Sequence, residues 1–421
     1  MYQAESAGVL FKRRQEGEAK AHTRVRVSRN VVLLGLVSLL TDISSEMVST
    51  VLPIYAIVAL GATPLQYGLI DGLYQGAAAL VRVASGVVSD RWSRYKEVAV
   101  AGYGLSAVCR VMLLAVGGTI GGLSASIIAD RVGKGIRTAP RDALITLSSA
   151  KDRLGTAFGV HRAMDTAGAM LGPLVAVGIL LLAPGKFNAV FAVSLCFAVL
   201  GLAVLVLFVQ NKRRERAAAE PRPGIKSALK LLGHTRYRTL VIVGSALGLV
   251  TISDAFIYLG IQRSMDLDNA LFPLLFVGSA LAFMILAVPV GRLADRVGRA
   301  RVFVGGYALL PAVYTVLMLP SVGGFELGVA LLMLGTYYAA TDGVLSAAAG
   351  GLVPKEQVGS ALGLLVTATS LAKLAASVLF GLLWTAVGIQ TAALIFLIAL
   401  VVAVCCAAAT VGRPSWSHAD A

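Results

Sequence analysis

Gly86-Val-Val-Ser-Asp90-Arg91-Trp-Ser-Arg94 and Gly291-Arg-Leu-Ala-Asp295-Arg296-Val-Gly-Arg299 write one pattern twice in this sequence, about half a chain apart. Each copy follows one long apolar run and precedes another. Each therefore fills a short polar turn between two helices long enough to cross a lipid bilayer. A second pair agrees, because Gly155 and Gly159 match Gly359 and Gly363 at nearly the same offset. A repeat of this length is not a solenoid unit. It predicts two parallel helical bundles related by an axis along the membrane normal.

The composition supports a membrane solvent. The chain has 421 residues, 57% of them hydrophobic and 14% charged, with a mean hydropathy of +0.81. Soluble domains carry roughly 45–50% apolar and about 25% charged residues. The excess is too large for a buried core, and it excludes disorder. Cys109, Cys196, Cys405 and Cys406 lie in apolar runs without metal-ligand spacing, which excludes a disulfide frame and offers no metal site. No Walker loop, dinucleotide fingerprint or His-x-x-x-His pair occurs. An enzyme is not expected, nor any cofactor beyond an ion gradient. The net charge of +15 could suit nucleic acid. Here, however, Lys and Arg collect between apolar runs, the pattern that orients membrane proteins, so nucleic acid is not expected as a partner.

Twelve apolar runs are predicted to be spans: 31–59, 65–89, 97–117, 121–147, 155–183, 187–209, 238–262, 270–293, 301–320, 325–347, 357–386 and 388–411. The fold class is all-α, with twelve transmembrane helices in two pseudo-symmetric six-helix bundles. Residues 1–30 form a basic tail and 31–209 the first bundle. Residues 210–237 form a basic linker broken by Pro221 and Pro223, 238–411 the second bundle and 412–421 a second tail. Lys and Arg gather in the loops on the linker side, which predicts a multi-pass inner (plasma) membrane protein with both termini cytoplasmic. A monomer is expected.

The duplicated loop, the twelve runs, the basic linker and the half-chain repeat together resemble the major facilitator superfamily over nearly the whole chain. The resemblance implies a secondary transporter working by alternating access. The loop chemistry fits a gate formed by Gly86, Asp90, Arg91 and Arg94 with Gly291, Asp295, Arg296 and Arg299. The glycines would let helix ends approach, the aspartates would favour a helix N-terminus, and the arginines would reach carboxylates or carbonyls of the other bundle. The alternative is that these arginines only set orientation.

Ionisable groups at membrane depth are costly and mark function. Asp42 and Glu46 are spaced i, i+4 on one face of span one. With a rise of ~1.5 Å per residue, Asp42, Arg131 and Asp165 fall in a similar layer. Asp42 and Glu46 are expected to carry protons, tuned by Arg131, His161 and Asp165. They compete with a reading as fixed structural charges. Span four ends in Asp130-Arg131-Val-Gly-Lys134-Gly-Ile-Arg137-Thr-Ala-Pro-Arg141-Asp142. Its Arg131-x-x-x-Gly135 core is similar to a motif of proton-linked members of the superfamily, although Asp130 could neutralise Arg131. Gly168-Ala-Met-Leu-Gly172-Pro173 in span five packs helices closely and looks like the signature of the antiporter branch. By resemblance, Asp42, Glu46, Arg131, Asp254 and Asp342 face the substrate cavity, with Lys134 and Arg137 completing its basic side. Lys373 is a further buried charge.

The expected function is proton-coupled efflux, by antiport, of a small solute, with protons and the lipid bilayer as the other partners. One alternative is a carrier of an anionic metabolite or metal chelate held by the span-four cations. Another is a non-transporting membrane sensor.

Overall fold

The apolar runs fold as helices, and no strand occurs among the described residues of this computed structural model, which are 28–76, 94–150, 154–211, 231–353 and 357–411. Gly86, Asp90, Arg91, most of the linker and nearly all of both tails lie outside them. Span one is Arg29–Ile54, continued by a π-helical turn at Tyr55–Ala59, and span two is described over residues 64–76. Spans three to six are Tyr95–Val116, Ile120–Leu147, Leu154–Leu182 and Phe187–Phe208. Span seven comes in two pieces, Thr235–Leu249 and Asp254–Met265, and span eight is Pro273–Val297. Spans nine and ten are also divided, into Arg299–Tyr307 with Leu310–Val316 and Gly324–Thr341 with Val344–Gly351. Spans eleven and twelve are Val358–Val387 and Ile389–Val411. The twelve helices form the two six-helix bundles expected.

Nine of these helices, among the described residues, are long and apolar enough on their own to cross a membrane. Spans two, four and nine fall short for separate reasons. Span two is described over part of its length. Span four carries Asp130, Arg131, Lys134, Arg137, Arg141 and Asp142. Span nine is broken between Tyr307 and Leu310. The outward faces are apolar: Leu182 is 90% exposed and Ile398 58%. Such faces suit lipid rather than water.

A break inside a membrane helix frees backbone groups that must be satisfied locally. Tyr314 of span nine does this for span seven. Its hydroxyl accepts the Ile252 N–H at 2.8 Å and donates to the Val250 carbonyl at 3.2 Å. The break in span ten falls at Asp342 and Gly343, where Gly343 takes φ +81°, a left-handed conformation that glycine adopts without strain.

Among the described residues, the contacts between the two bundles gather at one end. The far side is the one opposite the linker. There a single apolar cluster passes from bundle to bundle through Tyr67, Phe256 and Phe380. On the linker side each bundle has its own cluster. One is built on Val31, Tyr103 and Leu144, the other on Tyr237, Ala349 and Leu365. Among the described residues, hydrogen bonds between the bundles are also on the far side, from Leu65 N–H to Thr385 at 3.0 Å and from Ser377 to Asp71 at 2.7 Å. This conformation is closed on the far side.

Of the expected gate, Gly86, Asp90 and Arg91 lie outside the described residues, and the C-terminal copy is described. Among the described residues, nothing lies within 4 Å of a Cβ placed on Gly291 in this conformation. Arg299 pairs with Asp295 at 3.1 Å and donates to the Ala347 carbonyl at 3.4 Å. Both partners belong to its own bundle, one turn back on span eight and across on span ten. Arg296 is exposed beside them, and Arg94 lies exposed just before span three.

Candidate functional site

Span five packs on span one through its glycines. A Cβ on Gly168 would stand 2.5 Å from the Leu39 carbonyl oxygen, and one on Gly172 2.8 Å from the Glu46 Cβ. Close backbone approach brings short acidic side chains of the two spans together. This brings Asp42 of span one and Asp165 of span five into electrostatic interaction, with Lys134 of span four also acting on Asp42. Lys134 also feels the charge of Glu46. Asp165 is held further by Arg141 at 3.7 Å and by the largely exposed Arg162 at 3.8 Å. Arg141 reaches on to Ser38 at 3.2 Å, and Ser38 meets His161 Nε2 at 3.0 Å. Asp42, Lys134, His161, Arg141 and Asp165 thus form one connected polar patch at the junction of spans one, four and five.

Arg131 belongs to a different cluster. Asp130 receives Arg131 at 2.8 Å and Arg110 of span three at 3.3 Å, all three side chains being buried. Arg110 also donates to Ser44 and Ser45 of span one, both at 3.3 Å. The Arg131 guanidinium stacks on the Tyr74 ring of span two at 3.9 Å, which stabilises a desolvated cation. Arg131 therefore faces Glu46 from a distance and does not join Asp42 and Asp165. Arg137 is corrected as well. It is buried between spans three and four, bonded to Ser106 at 3.1 Å and stacked over Tyr103 at 4.6 Å, rather than on a cavity wall.

A cavity of about 240 Å³ opens between the bundles. Glu46, Met170 and Pro173 line it from the first bundle and Asp254, Phe276, Phe283, Tyr338 and Asp342 from the second. Two of its three acids are oriented by hydroxyls. Ser49 donates to Glu46 and Tyr338 to Asp254, each at 2.7 Å. Lys373 of span eleven acts electrostatically on Asp254. Of the residues expected at the cavity, Glu46, Asp254 and Asp342 reach it. Asp42 sits one turn from Glu46 toward the linker side, and neither it nor Lys134 lines the cavity.

The family model described as Major Facilitator Superfamily matches residues 34–277 and 255–419. The chain belongs to the major facilitator superfamily. It is a membrane transporter of small molecules and not an enzyme. An uncharacterised MFS-type transporter of Methanocaldococcus jannaschii is 31% identical over 366 residues, 85% of this chain and 89% of that protein. Among solved structures, the nucleoside transporter NupG superposes with a TM-score of 0.76 at 15% identity, covering 91% of this chain and 100% of that one. A POT family transporter in complex with 5-aminolevulinic acid gives 0.70 at 16% identity, covering 93% and 97%. The human organic anion transporter MFSD10 gives 0.63 at 16% identity, covering 90% and 99%.

Two polar residues central to this major facilitator superfamily chain escaped the sequence reading. Arg110 sits in Ala107-Val-Cys-Arg110-Val-Met, and Asp71 in Gly68-Leu-Ile-Asp71-Gly72. Each is a lone charge inside an apolar run, which was the signal available.

Proposed function

We propose that this transporter exports a small organic solute in exchange for protons, from an inner membrane in which the linker side is cytoplasmic. The observation that carries the reading is the Asp42–Asp165 pair beside Lys134. A shared proton between two carboxyls is released when a cation approaches either one or when the spans shift apart. Spans one and five pack through Gly168 and Gly172, so a small movement between them changes that pairing directly. Glu46, on the same face and nearer the cavity, links the pair to whatever occupies the space between the bundles. Export is supported by the Gly168-x-x-x-Gly172-Pro173 pattern and its likeness to the antiporter branch.

The test uses inside-out vesicles with an imposed pH gradient. Asp42→Asn is expected to abolish gradient-driven uptake while substrate binding to the purified protein persists. Unchanged gradient dependence in that variant rejects the assignment.

A second reading, an anionic solute held by the span-four cations, keeps one supporting observation: Lys134 is half-buried and unpaired by any ion pair among the described residues. Loss of anion binding in Lys134→Gln, with neutral solutes unaffected, would favour it.

A further inference from the structure

Spans two and eleven meet through glycine. A Cβ on Gly68 would stand 2.6 Å from the Ser377 carbonyl oxygen, one on Gly72 2.9 Å from that of Leu374, and one on Gly381 2.5 Å from that of Pro64. The bundles therefore touch main chain to main chain on the far side. Span two turns Asp71 into this seam, where it is 7% exposed. Ser377 of the opposite bundle donates its hydroxyl to Asp71 Oδ2 at 2.7 Å. Gln75 on the same helix and Ser253, at the break in span seven, lie beside it.

Span two supplies Tyr67, and one turn on Tyr74, whose ring carries Arg131. Span seven supplies a second acid, Asp254. Span eleven supplies Lys373, which faces Asp254. Among the described residues no Lys or Arg forms an ion pair with Asp71. A buried carboxylate without a counter-ion is costly, and a neighbouring acid adds repulsion. The closed seam thus holds this group with its proton. When the bundles part on the far side, Ser377 departs with span eleven and water reaches Asp71. The carboxyl then ionises, its proton passing to that water. A ligand bound more tightly by one conformation favours that conformation.

We propose that Asp71 is a second proton-binding site, loaded from the far side, whose proton closes the seam between spans two and eleven. The inference deepens the proton-coupled reading above and rests on it for the driving force. Its chemistry uses none of the Asp42–Asp165 contacts.

The test measures the seam rather than transport. Spin labels are placed at Gln66→Cys and Ala386→Cys in full-length protein whose native cysteines have been replaced, and the inter-label distance is read in nanodiscs. Between roughly pH 9 and roughly pH 5, chosen to bracket a perturbed carboxyl, the long-distance population of otherwise wild-type protein is expected to fall about tenfold. Asp71→Asn, which keeps an oxygen for Ser377 but carries no proton equilibrium, is expected to stay at the short distance throughout. Asp71→Ser serves the same purpose if the amide variant does not fold. Asp42→Asn is expected to keep the full pH response even where it abolishes gradient-driven transport. A wild-type distance indifferent to pH overturns the proposal, as does a wild-type response surviving in the Asp71 variants. Loss of the response in Asp42→Asn with retention in Asp71→Asn overturns it too and moves the site to span one.

Discussion

Arg110 of span three holds Asp130 of span four at 3.3 Å, with neither side chain more than 5% exposed. Arg131 takes the other carboxylate oxygen at 2.8 Å. One acid thus serves two desolvated guanidiniums. Removing it leaves both unpaired, a loss of roughly 3–5 kcal/mol by analogy with broken buried pairs. Asp130→Ala is expected to lower the melting temperature of the detergent-purified protein sharply. Arg110→Gln should cost less, because Arg131 keeps its grip on the acid. Equal stability of Asp130→Ala and wild type would remove the cluster from the list of structural supports.

Gly172 predicts a steric contrast. Its Cβ position is 2.8 Å from Glu46 Cβ and 2.9 Å from the Ile43 carbonyl oxygen, whereas among the described residues nothing lies within 4 Å of one on Gly178, one helix face away. Gly172→Leu forces spans one and five apart and is expected to cost about 1–3 kcal/mol or more. Gly178→Leu faces open space and should be tolerated. Expression level and thermal unfolding of the two variants give the comparison; similar values for both would contradict the packing described.

Lys134 faces Asp42 and Glu46 together. In Lys134→Gln the acids lose the cation that competes with their proton. Solute-for-solute exchange, which moves no net proton, is expected to continue. Accumulation driven by a pH gradient is expected to fall about tenfold, the scale of one charge-assisted hydrogen bond. Equal loss of both activities would mean that the lysine is only structural.

Tyr338 donates to Asp254 at 2.7 Å on the cavity wall. Tyr338→Phe removes that bond while keeping the ring. Because hydrogen bonds to charged groups contribute about 1.5–3 kcal/mol, substrate affinity is expected to weaken about tenfold or more, with melting temperature nearly unchanged. Titration of substrate into purified protein measures this, and wild-type affinity would refute a role for Asp254 in binding.

The fold was legible because span length and charge distribution are set by the bilayer. Runs of about 20 apolar residues bounded by Lys and Arg leave few alternatives. Span four was legible despite its charges, since its neighbours fixed the count. Residues on a shared face were less legible. Asp42 and Glu46 were expected to answer to Arg131, but rotation about span four turns Arg131 toward Tyr74 and Arg110 and presents Lys134 instead. Sequence spacing gives depth along a helix, whereas partner choice depends on which helices touch. The same limit hid Asp71, whose partner Ser377 lies 306 residues away. Arg137 was expected on the basic side of the cavity and turns inward, where Tyr103 and Ser106 offer it a ring and a hydroxyl.

Tyr314 stitches both ends of the gap in span seven to span nine. A gap propped in this way cannot act as a free hinge, because bending it would strand an amide and a carbonyl in an oily setting. Those two helices must travel as a single strut. Whatever rearrangement this half undergoes during a transport cycle is then borne by sliding at its outer boundary, not by flexing where the helix is interrupted.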